Sequence, residues 1–150
     1  MRRPFRLVPA IVLLLVAAPK LPVCAAPPDR EIKALGGVWV MRGMEVDGGK
    51  IEEPEAVQLF LDGNKYISQA GQSVLEQGTI AVDPGKSPAA IDLMPDAGGQ
   101  KGMVLPGIYL LRGDSLVICL ATPPAARPTE FSAHKGDNRI LLMYKRARPR

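Results

Sequence analysis

Between residues 38 and 145 the chain is cut at nearly regular intervals into short apolar runs, and that rhythm constrains its fold more than any other feature. The runs cover 38–46, 57–61, 65–69, 74–82, 90–94, 103–111, 115–120 and 139–145. Turn residues separate them: Asp47-Gly48-Gly49, Asp62-Gly63-Asn64, Gly71-Gln72, Asp83-Pro84-Gly85, the Asp96 to Gly99 segment and Gly113-Asp114. Eight short strands, mostly joined by tight turns, predict an antiparallel barrel or sandwich. The spacing leaves no room for the crossover helices that a parallel sheet requires. Ahead of the strands, Arg30-Glu31-Ile32-Lys33-Ala34-Leu35 predicts a brief helix with Asp29 as its N-cap, ended by Gly36-Gly37. No repeat period or linker divides the chain, which predicts one domain.

The run "GIYLLRGDSLVICLA", residues 107–121, fixes a register. With Gly113-Asp114 as a two-residue turn, Arg112 faces Ser115, Leu111 faces Leu116, Tyr109 faces Ile118 and Ile108 faces Cys119. One face then carries Tyr109, Leu111, Leu116, Ile118 and Leu120, the expected barrel interior. The other carries Ile108, Leu110, Val117 and Cys119, although a strand wetted on one side alternates more cleanly. A cover is therefore expected over the second face: the helix around Ile32 and Leu35, a loop such as 122–128, or another subunit. Coverage by the chain's own flanks is favoured, because monomers tolerate scattered apolar surface.

The N-terminus reads as an export signal. Arg2, Arg3 and Arg6 precede an apolar stretch from Leu7 to Ala18, too short for a comfortable membrane span. Val23-Cys24-Ala25 before Ala26 fits a small-residue cleavage site. The expected division is residues 1–25 as signal peptide, 26–34 as helix and linker, 35–146 as the barrel domain and 147–150 as a basic tail. Arg2-Arg3 leaves twin-arginine export open beside the general route, and Cys24 leaves lipidation open, against which the bulk of Val23 counts. Cleavage removes Arg2, Arg3, Arg6 and Lys20, so 19 basic side chains become 15, equal to the 15 acidic ones. The high pI then belongs to the signal and gives no ground for a nucleic-acid partner. Membrane contact is expected only through the export signal, and the location is periplasmic, cell-envelope or extracellular. Cys119 would stand alone, so the domain must hold together by its core.

The residues offer no catalytic constellation and imply no metal or other cofactor. His134, the sole histidine, lies in a polar turn and has no partners at metal or triad spacing. Cys119 sits among leucine and isoleucine and reads as a small buried hydrophobe. Glu52, Glu53 and Glu55 lack the alternating oxygen ligands and glycine of a calcium loop. Asp92 and Glu130 form a carboxylate pair only if the fold joins them, and Arg127 is an equal candidate to neutralise Glu130. The glycines around Lys50 and Lys101 lack the strand-to-helix context of a phosphate loop.

Several of these pieces together resemble a known family. Leu35-Gly36-Gly37-Val38-Trp39 resembles the glycine-x-tryptophan that opens the first strand of lipocalins. With Asp47-Gly48, Ile91-Asp92-Leu93, Gly107-Ile108-Tyr109, Gly113-Asp114-Ser115-Leu116, Ile118-Cys119, Arg127-Pro128-Thr129-Glu130-Phe131 and Lys145-Arg146, the chain from Leu35 to Arg146 is similar to a lipocalin-like domain family. That family is common in planctomycete proteins and carries no assigned activity. The resemblance implies an all-β, eight-stranded antiparallel up-and-down barrel with a short N-terminal helix, and by itself no chemistry. It departs at Leu110 and Val117, where polar residues are expected. It also implies that a basic residue of the last strand, Arg146 or else Lys145, lies across Trp39 and closes one barrel end, a contact worth on the order of 2 kcal/mol when desolvated. The alternative is a buried Trp39 with a solvated Arg146.

Two functions follow as expectations. The first is a non-catalytic binder of a small apolar ligand, its wall formed by Val57, Leu59, Leu61, Tyr109, Leu111, Leu116 and Ile118. The second is a protein-interaction module that uses the outer stripe of Ile108, Leu110 and Val117.

Overall fold

Strand β1 (Gly37–Val46) is the seam of the structure, a computed structural model that describes residues 28–52, 54 and 56–148. One edge of β1 pairs with the last strand, β9 (Arg139–Arg146), from Trp39 opposite Arg146 to Val46 opposite Ile140. The other edge is shared. Its first half pairs with β3 (Val57–Asp62), and its second half pairs with β2 (Gly49–Glu52). Around the wall then come β4 (Lys65–Ala70), β5 (Ser73–Asp83), β6 (Ala90–Pro95), β7 (Leu105–Arg112) and β8 (Ser115–Ala121), each antiparallel to its neighbour. Pairing of β8 with β9, and of β9 with β1, closes the sheet on itself. The result is a closed eight-stranded antiparallel barrel with one short helix, and β2 is a hairpin extension of β1. Closure removes the exposed strand edges that would otherwise template aggregation.

The apolar alternation decides which side chains fill the tube. Trp39, Met41, Leu59, Leu61, Tyr66, Ile80, Ile91, Leu93, Leu105, Tyr109, Leu116, Ile118, Leu120 and Tyr144 form one buried cluster with Leu35. The β7–β8 register follows the turn arithmetic at every position from Ile108–Cys119 to Arg112–Ser115. Two bulges bend the wall, one at Met41/Gly43 on β1 and one between Ser68 and Gln69 on β4, where β5 carries the extra Leu75. Gly107 is a position of close approach: a Cβ there would sit 2.6 Å from Leu120 Cδ2 and 2.7 Å from the Cys119 carbonyl oxygen.

The two ends of the barrel differ. Helix α1 (Pro28–Leu35) lies at the end where β1 begins, and its Leu35 is wholly buried in the core. Asp29 lies inside the first helical turn and does not cap it. At the helix exit the Gly36 amide donates to the Ile32 carbonyl at 3.1 Å, and Gly37 takes a positive φ of 124°. Trp39 Nε1 donates to the Leu35 carbonyl at 2.8 Å. Arg146 donates to the carbonyls of Gly36 (2.6 Å) and Ala34 (2.8 Å), and its guanidinium carbon stands 4.1 Å from the Trp39 ring centre. Carbonyls at a helix C-terminus are orphaned and carry partial negative charge, so a cation satisfies them twice over. Tyr109 adds a bond from its hydroxyl to Glu31 at 3.1 Å.

The second apolar face of β7–β8 is covered by the chain itself, through the β8–β9 connection: the expected 122–128 loop buries Pro128 and anchors Arg127 on the wall, and the cover continues past it. Phe131 and Ala133 from the β8–β9 connection pack on Ile108, Val117, Cys119 and Leu141. Helix α1 plugs the barrel end and takes no part in this cover. The expected run 103–111 starts instead at Leu105, and β2 is a strand that the turn pattern does not announce. Residues 1–25, expected from sequence to be a signal peptide, the last two residues of the tail, and Glu53 and Glu55 lie outside the described residues.

The closed end predicts coupling between its two partners. In a double-mutant cycle of Trp39→Phe and Arg146→Met followed by chemical denaturation, the single costs should exceed additivity by about 1–2 kcal/mol. Additive costs would mean the stack contributes nothing.

Candidate functional site

Opposite the helix, the barrel is open. The turns and connections at this end are 46–49, 70–73, 95–105 and 121–139, longer in aggregate than the tight turns at the closed end. Several exposed large hydrophobic side chains stand on them or on the strand ends beside them: Val46, Ile51, Val74, Leu75, Met103 and Val104. A mouth of about 580 Å³ lies among Val46, Asp47, Gln100, Thr122, Asn138 and Arg139. Beneath it is a pocket of about 290 Å³, walled by Met41, Met44, Val57, Leu59, Leu93 and Ile118 among others. Glu76, Leu120, Ile140 and Leu142 line both spaces, so mouth and pocket adjoin across a shared wall. Combined, they fall within the usual size of small-molecule sites, about 300–1,000 Å³.

The pocket holds few polar groups. Glu76 is the only charged residue in its described lining, which otherwise offers Ser68, Tyr66 and Tyr144 as polar groups. Inward direction follows from pleat parity, because Glu76 lies on the β5 face of Gly78 and the buried Ile80. Tyr66 donates its hydroxyl proton to Glu76 Oε1 at 2.8 Å. Burial first, then the bond to Glu76, push the Tyr66 phenol pKa well above its usual value, so the hydroxyl keeps its proton. Tyr144 is 4% exposed and also lines the pocket. Burial and the charge of Glu76 push its pKa up as well.

Of the wall residues expected from sequence, Val57, Leu59 and Ile118 line this pocket. Leu61, Tyr109 and Leu116 are buried in the core towards the closed end, and the partly buried Leu111 packs against them. The sequence reading missed Tyr66, Glu76 and Tyr144. Parity held the signal: Glu76 is two and four residues ahead of Gly78 and Ile80, and Tyr144 continues the alternation of Ile140 and Leu142.

The connection between β8 and β9 forms a strap outside the barrel. Arg127 donates to the carbonyls of Gly107 (2.7 Å) and Ile91 (3.2 Å) and pairs with Asp92 at 2.8 Å. Arg127 thus neutralises Asp92, while Glu130 stands 3.8 Å from His134 and 3.9 Å from Arg139. The two carboxylates do not form a paired site. Farther along, the Gly48 amide donates to the Ala133 carbonyl at 2.9 Å and the Gly136 amide to Asp47 Oδ1 at 2.6 Å. His134 is an exposed turn residue whose amide bonds Asp137. Under the strap, Cys119 is wholly buried with its thiol on the Ser132 carbonyl at 3.4 Å, and burial raises its pKa. Ile108 is 1% exposed beneath the same cover, so only Leu110 and part of Val117 remain of the outer stripe. Among the described residues no group of three or more His, Cys, Asp or Glu side chains is placed to hold a metal. No described helix is long and apolar enough to cross a membrane.

A stretch of 75 residues, half of this chain, is 32% identical to the histidinol dehydrogenases of Xanthomonas euvesicatoria and Xanthomonas oryzae, and 31% identical to that of Xanthomonas campestris. The chain covers 17% of the length of these enzymes. No family model matches the chain, and no solved structure matches it.

The strap predicts the reactivity of Cys119, since the thiolate is the reacting form. Peptide mapping of maleimide-treated native protein should find Cys119 unlabelled until the protein unfolds. Arg127→Met removes charge-assisted hydrogen bonds worth about 1.5–3 kcal/mol each, and should speed Cys119 labelling by about tenfold or more. Rapid labelling in the wild type would mean that the strap does not seal this face.

Proposed function

We propose that this protein is an exported, non-catalytic lipocalin-like barrel that carries one small apolar molecule in its interior. The observation that carries this reading is the apolar pocket of about 290 Å³, which adjoins the mouth at the end opposite the helix plug. Eight strands enclose either a filled interior or room for one small ligand, and the packed closed end here adjoins an unfilled half. The apolar residues around the rim support entry of a water-poor molecule from that side. The resemblance in the Gly37-to-Trp39 segment and the arginine over the tryptophan support the lipocalin-like assignment. The basic, then apolar, then small-residue order of residues 1–25 supports export.

An interaction module based on the outer stripe is the less favoured reading, since the strap occupies Ile108 and Cys119. The partial likeness to histidinol dehydrogenases carries no catalytic reading, as it concerns 17% of those enzymes.

Native mass spectrometry of the protein purified from its own host tests the proposal. One small-molecule mass per chain is expected in the wild type. Leu142→Trp, which fills both mouth and pocket, should lose that mass while still unfolding cooperatively. A wild-type chain that carries nothing and binds no added apolar molecule would reject the reading.

A further inference from the structure

A carboxylate that points into an apolar cavity needs partners. Glu76 is partly buried, and withdrawing an ionised carboxyl from water has a cost that partners offset; the described pocket lining supplies no lysine, arginine or histidine. Tyr66 satisfies one oxygen of Glu76. The other has no side-chain donor among the described residues. Across the same pocket Tyr144, 4% exposed, adds a second hydroxyl to the lining. The mouth contributes one basic side chain, Arg139, which already faces Asp137 and Glu130 at 3.9 Å each. Such a set offers a strong acceptor and a hydroxyl, and no free cation.

We infer that the pocket selects an apolar molecule whose polar head donates a hydrogen bond, an alcohol or an amine, and discriminates against a carboxylate head. The head donates to the free oxygen of Glu76. The Tyr144 hydroxyl then serves it in the complementary sense, donating to an alcohol oxygen or accepting from an ammonium. The apolar body packs on Met41, Val57, Leu93, Ile118, Leu120 and Leu142. A carboxylate head would place like charge beside Glu76 in a poorly solvated space, and nothing in the described lining offsets that cost. Tyr66 is a positioning residue: its proton fixes the orientation of Glu76 and leaves one oxygen free.

This inference rests on the binding-barrel reading, and one experiment separates the two. Isothermal titration calorimetry of the purified protein compares 1-decanol, decylamine and decanoate, which share a chain and differ in head. The alcohol and the amine should bind at least about tenfold more tightly than decanoate, a difference of about 1.4 kcal/mol. Glu76→Gln, whose amide N–H donates to a carboxylate, should bring the ratio towards one. Tyr144→Phe should weaken decanol more than it shifts the thermal midpoint. Decanoate binding as tightly as decanol in the wild type would overturn the head selectivity and leave the binding barrel standing. A failure of all three to bind would overturn both. The wild-type ratio decides the question even if a variant folds poorly.

Discussion

The clasp between the first and last strands underlies the rest of the structure. Arg146 lies over Trp39 and takes the carbonyls of Ala34 and Gly36, while the Trp39 indole takes that of Leu35. One cation and one indole thereby satisfy carbonyls at the end of the helix and hold it in the closed end of the barrel. They also sit where Trp39 and Arg146 face each other across the β1–β9 seam. With no disulfide among the described residues and Cys119 free, closure depends on this contact and on the core. Because one end is plugged, the unfilled volume gathers at the other, which is why the pocket has a direction.

The second brace is the strap from β8 to β9. Arg127 reaches carbonyls on both β6 and β7, and the Asp47-Gly48 turn receives the far end of the strap. This connection does what the apolar outer face of β7–β8 demands, and it does so at modest polar cost because each anchor is a charge-assisted or backbone hydrogen bond. Arg146 and Arg127 thus play parallel parts, one on a helix end and one on the β6–β7 wall. Both are arginines, whose several fixed donors can serve two carbonyls at once.

Local rules made much of the wall legible. The Gly113-Asp114 turn dictates the β7–β8 register, and alternation in 107–120 separates interior from exterior correctly. The need for a cover over Ile108 and Cys119 was equally legible, but its full source was not: Phe131 and Ala133 sit in a segment without periodicity, and only tertiary contact selects them. Strand β2 escaped notice because its four residues are all exposed and lack an apolar face. The pocket lining was half legible. Alternation points Val57, Leu59 and Ile118 inwards, yet it cannot say how deeply the helix plug fills the tube, and Leu61, Tyr109, Leu111 and Leu116 point inwards at the closed end, away from the pocket. Glu76 and Tyr144 follow the same alternation as their apolar neighbours, and were passed over because polar residues are expected outside.

The central claim is that the sheet is closed, with β1 and β9 paired along their length. Amide hydrogen exchange followed by NMR tests it most directly. Closure predicts that the hydrogen-bonded amides of both strands, from Trp39 to Val46 and from Ile140 to Arg146, exchange as slowly as those of β7 and β8, through global unfolding. Exchange of either strand on the timescale of an open sheet edge, with β7 and β8 still protected, would contradict it.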